Sequence, residues 1–169
     1  MRSEELRALQ APLKEQYRTE PARALITLTA AGELDDTSVS CRVETGQAIV
    51  EAGLHPATGG AGLLACSGDL LLQALVACAG VTMRAVATAL AIPLRGGRVH
   101  AEGDLDFRGT LGVSKDVPVG FQTIRLRFEL DTDASGEQLD TLLKLTERYC
   151  VVLQTLRVSP EVSVTYGVL

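Results

Sequence analysis

Short segments in which apolar and polar positions alternate recur along the chain, and this period of two predicts β-strands. The predicted strands are residues 24–30, 38–45, 98–108, 121–131 and 163–169. Residues 47–54 can extend the second strand or pair with it. Turn-forming residues fill 32–36 (GELDD), 55–62 and 109–120, and the last of these predicts an antiparallel hairpin between its two neighbouring strands.

Two further segments predict helices. Residues 69–90 are apolar or small almost without interruption, and this pattern favours a buried helix. Ser135 and Gln138 form a capping box that begins a second helix, which ends at about Cys150. One face of that helix carries Leu139, Leu142, Leu143, Thr146 and Cys150. The order of elements predicts an α+β fold with antiparallel sheets around a long buried central helix.

Chain length predicts one domain over residues 1–169, with residues 1–20 as an N-terminal helical extension. The formal net charge is −5 and no cluster of Lys or Arg occurs, which argues against a nucleic-acid partner. The most apolar stretch, 70–83, contains Gln73 and falls short of the ~20 residues of a membrane span. The N-terminus has no apolar core of a signal peptide, so we expect a cytoplasmic protein without a membrane partner.

Four cysteines are the candidates for chemistry: Cys41, Cys66, Cys78 and Cys150. No CxxC pair occurs and the chain has two histidines, so the pattern for a zinc site is weak. Buried cysteines often serve as small hydrophobic residues, and that interpretation stays open for Cys78 and Cys150. The alternative is a redox pair, in which one thiolate is oxidised by a peroxide and the second thiol forms a disulfide with it.

Three segments resemble the OsmC/Ohr family, and together they span about residues 25–168. CSGDLLLQALVACAGVTMRAVATALAIPL (66–94) is similar to the family's central helix, with Cys78 at the position of the attacking thiol. GRVHAEGDLDFRGTLG and VPVGFQTIRLRFEL (97–130) resemble its next hairpin. LLKLTERYCVVLQTLR (142–157) resembles its second motif, with Cys150 at the position of the resolving thiol.

The resemblance implies an intertwined homodimer whose central helices pack together, with the active sites at the subunit interface. It implies a thiol peroxidase that reduces organic hydroperoxides in oxidative-stress defence. It also implies an external dithiol reductant, such as a lipoyl group, and neither a metal nor a bound cofactor. Cys78 and Cys150 are then the catalytic residues.

The chain departs from the family pattern at two places. Val151 follows Cys150 where many relatives have Pro, and the GELDD segment lacks the family's N-terminal Arg. Arg42, on the polar face of the next strand, is the nearest substitute, and its alternative interpretation is a solvated strand residue. Asp69 stands where many relatives have the Glu that pairs with this Arg. However, ideal helix geometry places it ~180° around and ~13 Å along from Cys78.

A cysteine in an apolar helix is expected to have a raised pKa, so we predict that a cation activates Cys78 and that Arg42 supplies it. A non-enzymatic redox sensor or small-ligand-binding protein on the same fold is the alternative function. A cysteine hydrolase needs a His base beside the thiol, and neither His55 nor His100 lies near Cys78 or Cys150 in sequence.

Overall fold

The computed structural model describes residues 2–5, 8, 10, 11, 19, 31–34, 40–44, 49–112 and 114–168, with the backbone alone for 31–34, 40–44 and 49. Its strands are β1 (Ala31–Leu34), β2 (Ser40–Glu44), β3 (Ile49–Gly53), β4 (Ala65–Cys66), β5 (Gly96–Asp104) and β6 (Thr123–Asp131). Its α-helices are α1 (Ser67–Ala89), α2 (Phe107–Thr110), α3 (Gly136–Tyr149) and α4 (Val151–Arg157). A short 3₁₀ helix covers Pro56–Thr58.

The first sheet has the strand order β1-β2-β3-β4. Its first two pairings are antiparallel, and the pairing of β3 with β4 is parallel. The prediction of antiparallel sheets is therefore wrong for this one pairing. The predicted turn at 32–36 is also wrong in part, because residues 32–34 form β1 with Ala31 and pair with β2. The predicted strand 24–30 and most of the N-terminal extension lie outside the described residues.

The second sheet is the predicted hairpin of β5 and β6, which pair antiparallel over nine residues each. Val99 lies opposite Phe128 and Ala101 opposite Leu126, which places their side chains on one apolar face. β5 ends at Asp104 rather than at 108. The reason is local, because the Asp106 carboxylate accepts a hydrogen bond from the Arg108 N–H and begins α2.

Helix α1 is the long central element, and it packs against β5, α3 and α4. Its buried residues recur every fourth position at Leu75, Ala79, Met83 and Ala87, so they form one stripe. The sequence predicted burial all round, but within this chain the opposite face is open. Leu71 is 38% exposed and Val81 is 71% exposed.

The length and apolar composition of α1 meet the criterion for a membrane span, with a mean hydropathy of 1.8. The core helix of a globular domain meets the same criterion when one of its faces is covered by other elements. In α1 that face is covered by the hairpin and by the two C-terminal helices. The expectation that this stretch falls short of a membrane span is therefore wrong by length and hydropathy.

Helix α3 begins with the predicted capping box, since Ser135 accepts from the Gln138 N–H and Gln138 accepts from the Ser135 N–H. It ends before Cys150, whose extended backbone (φ −73°, ψ 106°) separates it from α4. The end of the helix near Cys150 was predicted, and the restart at Val151 was not.

The C-terminal segment 163–169 was predicted as a strand, and the structure contradicts this for the residues it describes. Residues 159–168 form no regular structure. The apolar members of the alternation, Val162, Val164, Tyr166 and Val168, are 76–95% exposed. An alternating pattern forms a strand only when a neighbouring strand edge accepts its hydrogen bonds, and this segment has no such pairing within the described residues.

Candidate active site

Cys78 and Cys150 lie side by side, with each sulphur interacting with the other. Cys78 is half-buried in the middle of α1, and Cys150 is fully buried at the break between α3 and α4. Both are free thiols. Cys150 belongs to the apolar cluster of Leu75 and Ala79, against which Cys78 packs. The packing of α1 against the C-terminal helices therefore brings the two thiols together.

The backbone at Cys150 explains how the first turn of α4 comes to lie beside the Cys78 thiol. The Cys150 N–H donates to the Thr146 carbonyl as the last bond of α3, and its carbonyl accepts from the Gln154 N–H as the first bond of α4. A helix restart leaves its first N–H groups without intrahelical acceptors. The N–H groups of Val151 and Val152 are two of these, and both donate toward the Cys78 sulphur.

The pKa of Cys78 lies below the ordinary value of a thiol. Burial raises it, and four donors together outweigh burial: the N–H of Val152, the thiol of Cys150, the N–H of Val151 and the hydroxyl of Thr82. Hydrogen bonds from these groups stabilise the thiolate more than the neutral thiol. Cys78 is therefore the more nucleophilic member of the pair near neutral pH.

The pKa of Cys150 shifts in the opposite direction. Burial raises it, the hydrogen bond and the charge interaction with Cys78 raise it further, and the N–H groups of Leu153 and Val152 offset only part of the effect. The two thiols thus divide into a partly accessible one whose pKa is lowered and a buried one whose pKa is raised. A lowered pKa is what a thiol that attacks a peroxide needs, and a second thiol beside it can condense with the sulfenic acid that forms.

The expectation that Cys78 has a raised pKa is corrected here. Backbone and hydroxyl dipoles lower its pKa, and no charged side chain of the described residues is among the causes. Arg42 lies in β2, where the register places it opposite Glu33 in β1 and Glu51 in β3. Its side chain lies outside the described residues, as does that of Cys41.

Asp69 and Cys66 lie away from the thiol pair. Both line a separate cavity of about 340 Å³ at the start of α1, together with His55 and Phe107. Asp69 is in the first turn of α1, where a negative charge interacts favourably with the helix dipole. The structure thus brings Cys78 and Cys150 together and leaves Asp69, Cys66 and His55 at another position.

Sequence reasoning did not identify the donors to Cys78. Thr82 was visible as the residue one helical turn after Cys78, and spacing alone could have indicated it. The N–H groups of Val151 and Val152 had no such signal, because the helix break carries neither Gly nor Pro. Within the part of the chain that the structure describes, no group of three His, Cys, Asp or Glu residues could hold a metal ion.

The model of the family "OsmC-like protein" matches residues 60–165, well over half of the chain, and that range includes both cysteines. The chain belongs to the OsmC family. The search of curated proteins gave no match.

Solved structures of OsmC proteins share the fold. An OsmC-like protein from Mycoplasma pneumoniae superimposes with a TM-score of 0.66 at 18% identity, covering 79% of this chain and 89% of that one. An organic hydroperoxide resistance protein from Elizabethkingia anophelis gives 0.64 at 16% identity, with coverage of 80% and 91%. One from Legionella pneumophila, named OsmC and predicted redox protein, gives 0.62 at 18% identity, with 79% and 91%. At these identities the likeness shows the OsmC fold with its long central helix, and not the activity.

Proposed function

We propose that this OsmC-family chain is a thiol peroxidase that reduces organic hydroperoxides, with Cys78 as the attacking thiol and Cys150 as the resolving thiol. The observation that carries the proposal is the contact between two free thiols whose pKa values shift in opposite directions. Two cysteines buried for packing alone do not require one of them to be surrounded by hydrogen-bond donors. Two of the similar structures are named organic hydroperoxide resistance proteins, which is consistent with this chemistry.

The first step is attack of the Cys78 thiolate on the terminal oxygen of the hydroperoxide. The S–O bond forms, the O–O bond breaks, and the leaving alkoxide takes up a proton to become the alcohol. The sulphur is oxidised to a sulfenic acid and the peroxide is reduced by two electrons. The N–H groups of Val151 and Val152 hold the thiolate in place before the attack.

The second step joins the two cysteines. The Cys150 thiol attacks the sulfenic sulphur, the S–S bond forms, and the hydroxyl group leaves as water with the thiol proton. An external dithiol, such as a lipoyl group, then reduces the disulfide by two electrons and two protons. This cycle uses the chain's own sulphur atoms and a diffusing reductant, without a resident cofactor.

Our proposed assembly is a homodimer in which the open face of α1 packs against a second copy. Apolar side chains on that face surround Cys78 at Leu71, Ala74, Ala77 and Val81. Helices that expose such a stripe are normally covered by a partner. A second copy would then exclude water from the Cys78 thiol and leave a site suited to an apolar peroxide.

Arg42 retains its proposed role as the cation that approaches Cys78, from the same chain or across the dimer. The register of β2 supports an acidic partner for it, because Glu33 and Glu51 lie directly opposite on the neighbouring strands. We also retain the proposal of a cytoplasmic protein, without nucleic-acid or membrane partners, from the net charge of −5 and the N-terminal sequence.

Reduction of cumene hydroperoxide with dihydrolipoamide as reductant tests the activity. The expected result is hydroperoxide consumption by the wild-type protein that requires the reductant and disappears in Cys78→Ser. Consumption no faster than in buffer would overturn the proposal.

The second candidate is a redox sensor without turnover, which the lack of a cation at Cys78 among the described residues favours. A single stoichiometric oxidation to the disulfide, with no catalysis by added dithiol, would identify the sensor.

A further inference from the structure

The helix break at Cys150 occurs without a residue that would force it. Residues 146–154 contain neither Gly nor Pro, which are common causes of a sharp kink. Cys150 has an extended backbone, with φ −73° and ψ 106°, between two helical segments. A helix can also break where a side chain takes over one of its backbone hydrogen bonds, and the contacts around Cys150 show such a case.

The Gln154 side chain takes over one hydrogen bond of the helix at this break. In a continuous helix the Glu147 carbonyl would accept from the Val151 N–H, four residues later. In the part of the chain that the structure describes, this carbonyl accepts instead from the Gln154 side-chain amide, at 2.6 Å. The bond is partly buried, so water competes with it only in part. The Glu147 carbonyl is thus satisfied without Val151.

A second contact joins the same two helices. The Arg157 guanidinium lies 3.0 Å from the Glu147 carboxylate. Both side chains are about half exposed, and an ion pair of this kind contributes little by itself. Helix α4 therefore holds both the carbonyl and the carboxylate of Glu147, and the bond from Gln154 to the carbonyl is the better shielded of the two.

We infer that Gln154 is a positioning residue that keeps the helix broken at Cys150 by occupying the Glu147 carbonyl. The Val151 N–H then turns toward Cys78 instead of closing the helix. The donation of this N–H toward the Cys78 sulphur agrees with the inference. The inference deepens the proposed function and rests on it only in taking Cys78 as the attacking thiol.

Loss of the Gln154 amide should let the helix close. The Glu147 carbonyl would be left without its donor, and the Val151 N–H is the group that a regular helix supplies to it. Cys78 would then lose one hydrogen-bond donor, and Cys150 would leave its extended backbone conformation. Both changes can be measured.

The experiment compares wild type with Gln154→Met, which keeps the length of the side chain and removes the donor. One measurement is the pH dependence of Cys78 alkylation, resolved for each cysteine by peptide mass spectrometry. The other is the Cα chemical shift of Cys150 by NMR, which distinguishes extended from helical backbone. In Gln154→Met we expect the Cys78 midpoint to rise by about one pH unit, since a hydrogen bond to a charged group corresponds to about that amount. The Cys150 shift should move toward helical values.

Matched variants separate this role from general destabilisation. Gln138→Met removes a second glutamine that bonds to the backbone at an end of α3, and it should move neither quantity. Arg157→Met removes the exposed ion pair and should raise the Cys78 midpoint by less than Gln154→Met does. Gln154→Asn, whose amide is one methylene too short, takes the place of Gln154→Met if that variant does not fold, with the same expected result.

The inference is wrong if Gln154→Met leaves either quantity at its wild-type value, if Gln138→Met moves them equally, or if Arg157→Met has the larger effect. Neither measurement needs peroxidase activity, so the inference and the proposed function fail separately. Both quantities shifted in Gln154→Met, without hydroperoxide consumption by wild type, would support Gln154 and overturn the peroxidase. Hydroperoxide turnover by wild type, with both quantities unchanged in Gln154→Met, would support the peroxidase and overturn the role of Gln154.

Discussion

Burial raises the pKa of the Cys78 thiol, and the backbone N–H of Val152 opposes this more strongly than any other group of the described residues. The donor belongs to the first turn of α4, and the thiol belongs to the middle of α1. Cys150, whose extended backbone ends one helix and starts the next, places both itself and this N–H beside Cys78. The break that positions Cys150 thereby also provides donors that lower the pKa of Cys78.

The two cysteines are expected to fail at different steps. Cys78→Ser should abolish hydroperoxide reduction, because no thiolate remains to attack. Cys150→Ser should still allow one oxidation of Cys78, trapped as a sulfenic acid, with no disulfide. Dimedone labelling followed by mass spectrometry measures the trapped species. An equal loss of the first oxidation in both variants would contradict the assignment.

The pKa values of the two thiols should also lie on opposite sides of the pKa of an ordinary cysteine. At Cys78 the hydrogen-bond donors outweigh burial, so its pKa is lowered. At Cys150 the interaction with Cys78 adds to the effect of burial, so its pKa is raised. As pH rises, iodoacetamide should therefore modify Cys78 first and Cys150 last. In urea-unfolded protein the two should react with the same midpoint. A folded protein in which both titrate together would argue against separate roles.

The free energy of unfolding should also depend on pH through the ionisation of Cys78. A pKa that is lower in the fold than in the unfolded chain means that ionisation of Cys78 stabilises the fold. This contribution is fully present above the pKa of the unfolded thiol and is lost as pH falls through the folded pKa. The difference in urea midpoint between the wild-type protein and Cys78→Ser should therefore increase with pH across that window. A difference that stays constant would show that the thiolate is not stabilised.

Replacement of Arg42 by Met keeps the bulk of the side chain and removes its charge. If Arg42 approaches Cys78, the Cys78 alkylation midpoint should rise in Arg42→Met, because a nearby cation favours the thiolate. Arg98→Met, at an exposed arginine of β5, is the matched control. Midpoints that coincide in wild type and Arg42→Met would make Arg42 an ordinary strand residue.

The open face of α1 predicts a homodimer of about twice 17.9 kDa in dilute solution. Val81, 71% exposed beside Cys78, should lie in the interface, so Val81→Glu should dissociate the dimer or prevent folding. Val119→Glu, at a loop residue that is 61% exposed, should change neither mass nor folding. Light scattering at several concentrations measures both. A stable folded wild-type monomer would count against the assembly.

Local pattern determined the elements whose stabilisation is local or periodic. Three elements could be predicted from the sequence alone: the start of α3 from its capping box at Ser135 and Gln138, α1 from its apolar run, and the hairpin of β5 and β6 from its alternation. The OsmC motifs indicated the family. The strand predicted from the alternation at 163–169 was wrong, because a strand also needs a neighbouring strand edge to pair with, and no local pattern encodes that edge.

Tertiary structure decided the contact between the thiols and the direction of the Cys78 pKa. A pKa depends on all groups within a few ångströms of the sulphur, and those groups come from α1 and α4, far apart in sequence. The sequence alone favoured a raised pKa, because it showed an apolar helix and no nearby cation. The packing of α1 against the break at Cys150 supplied donors from Val151 and Val152 that belong to the backbone, where no side-chain pattern could reveal them.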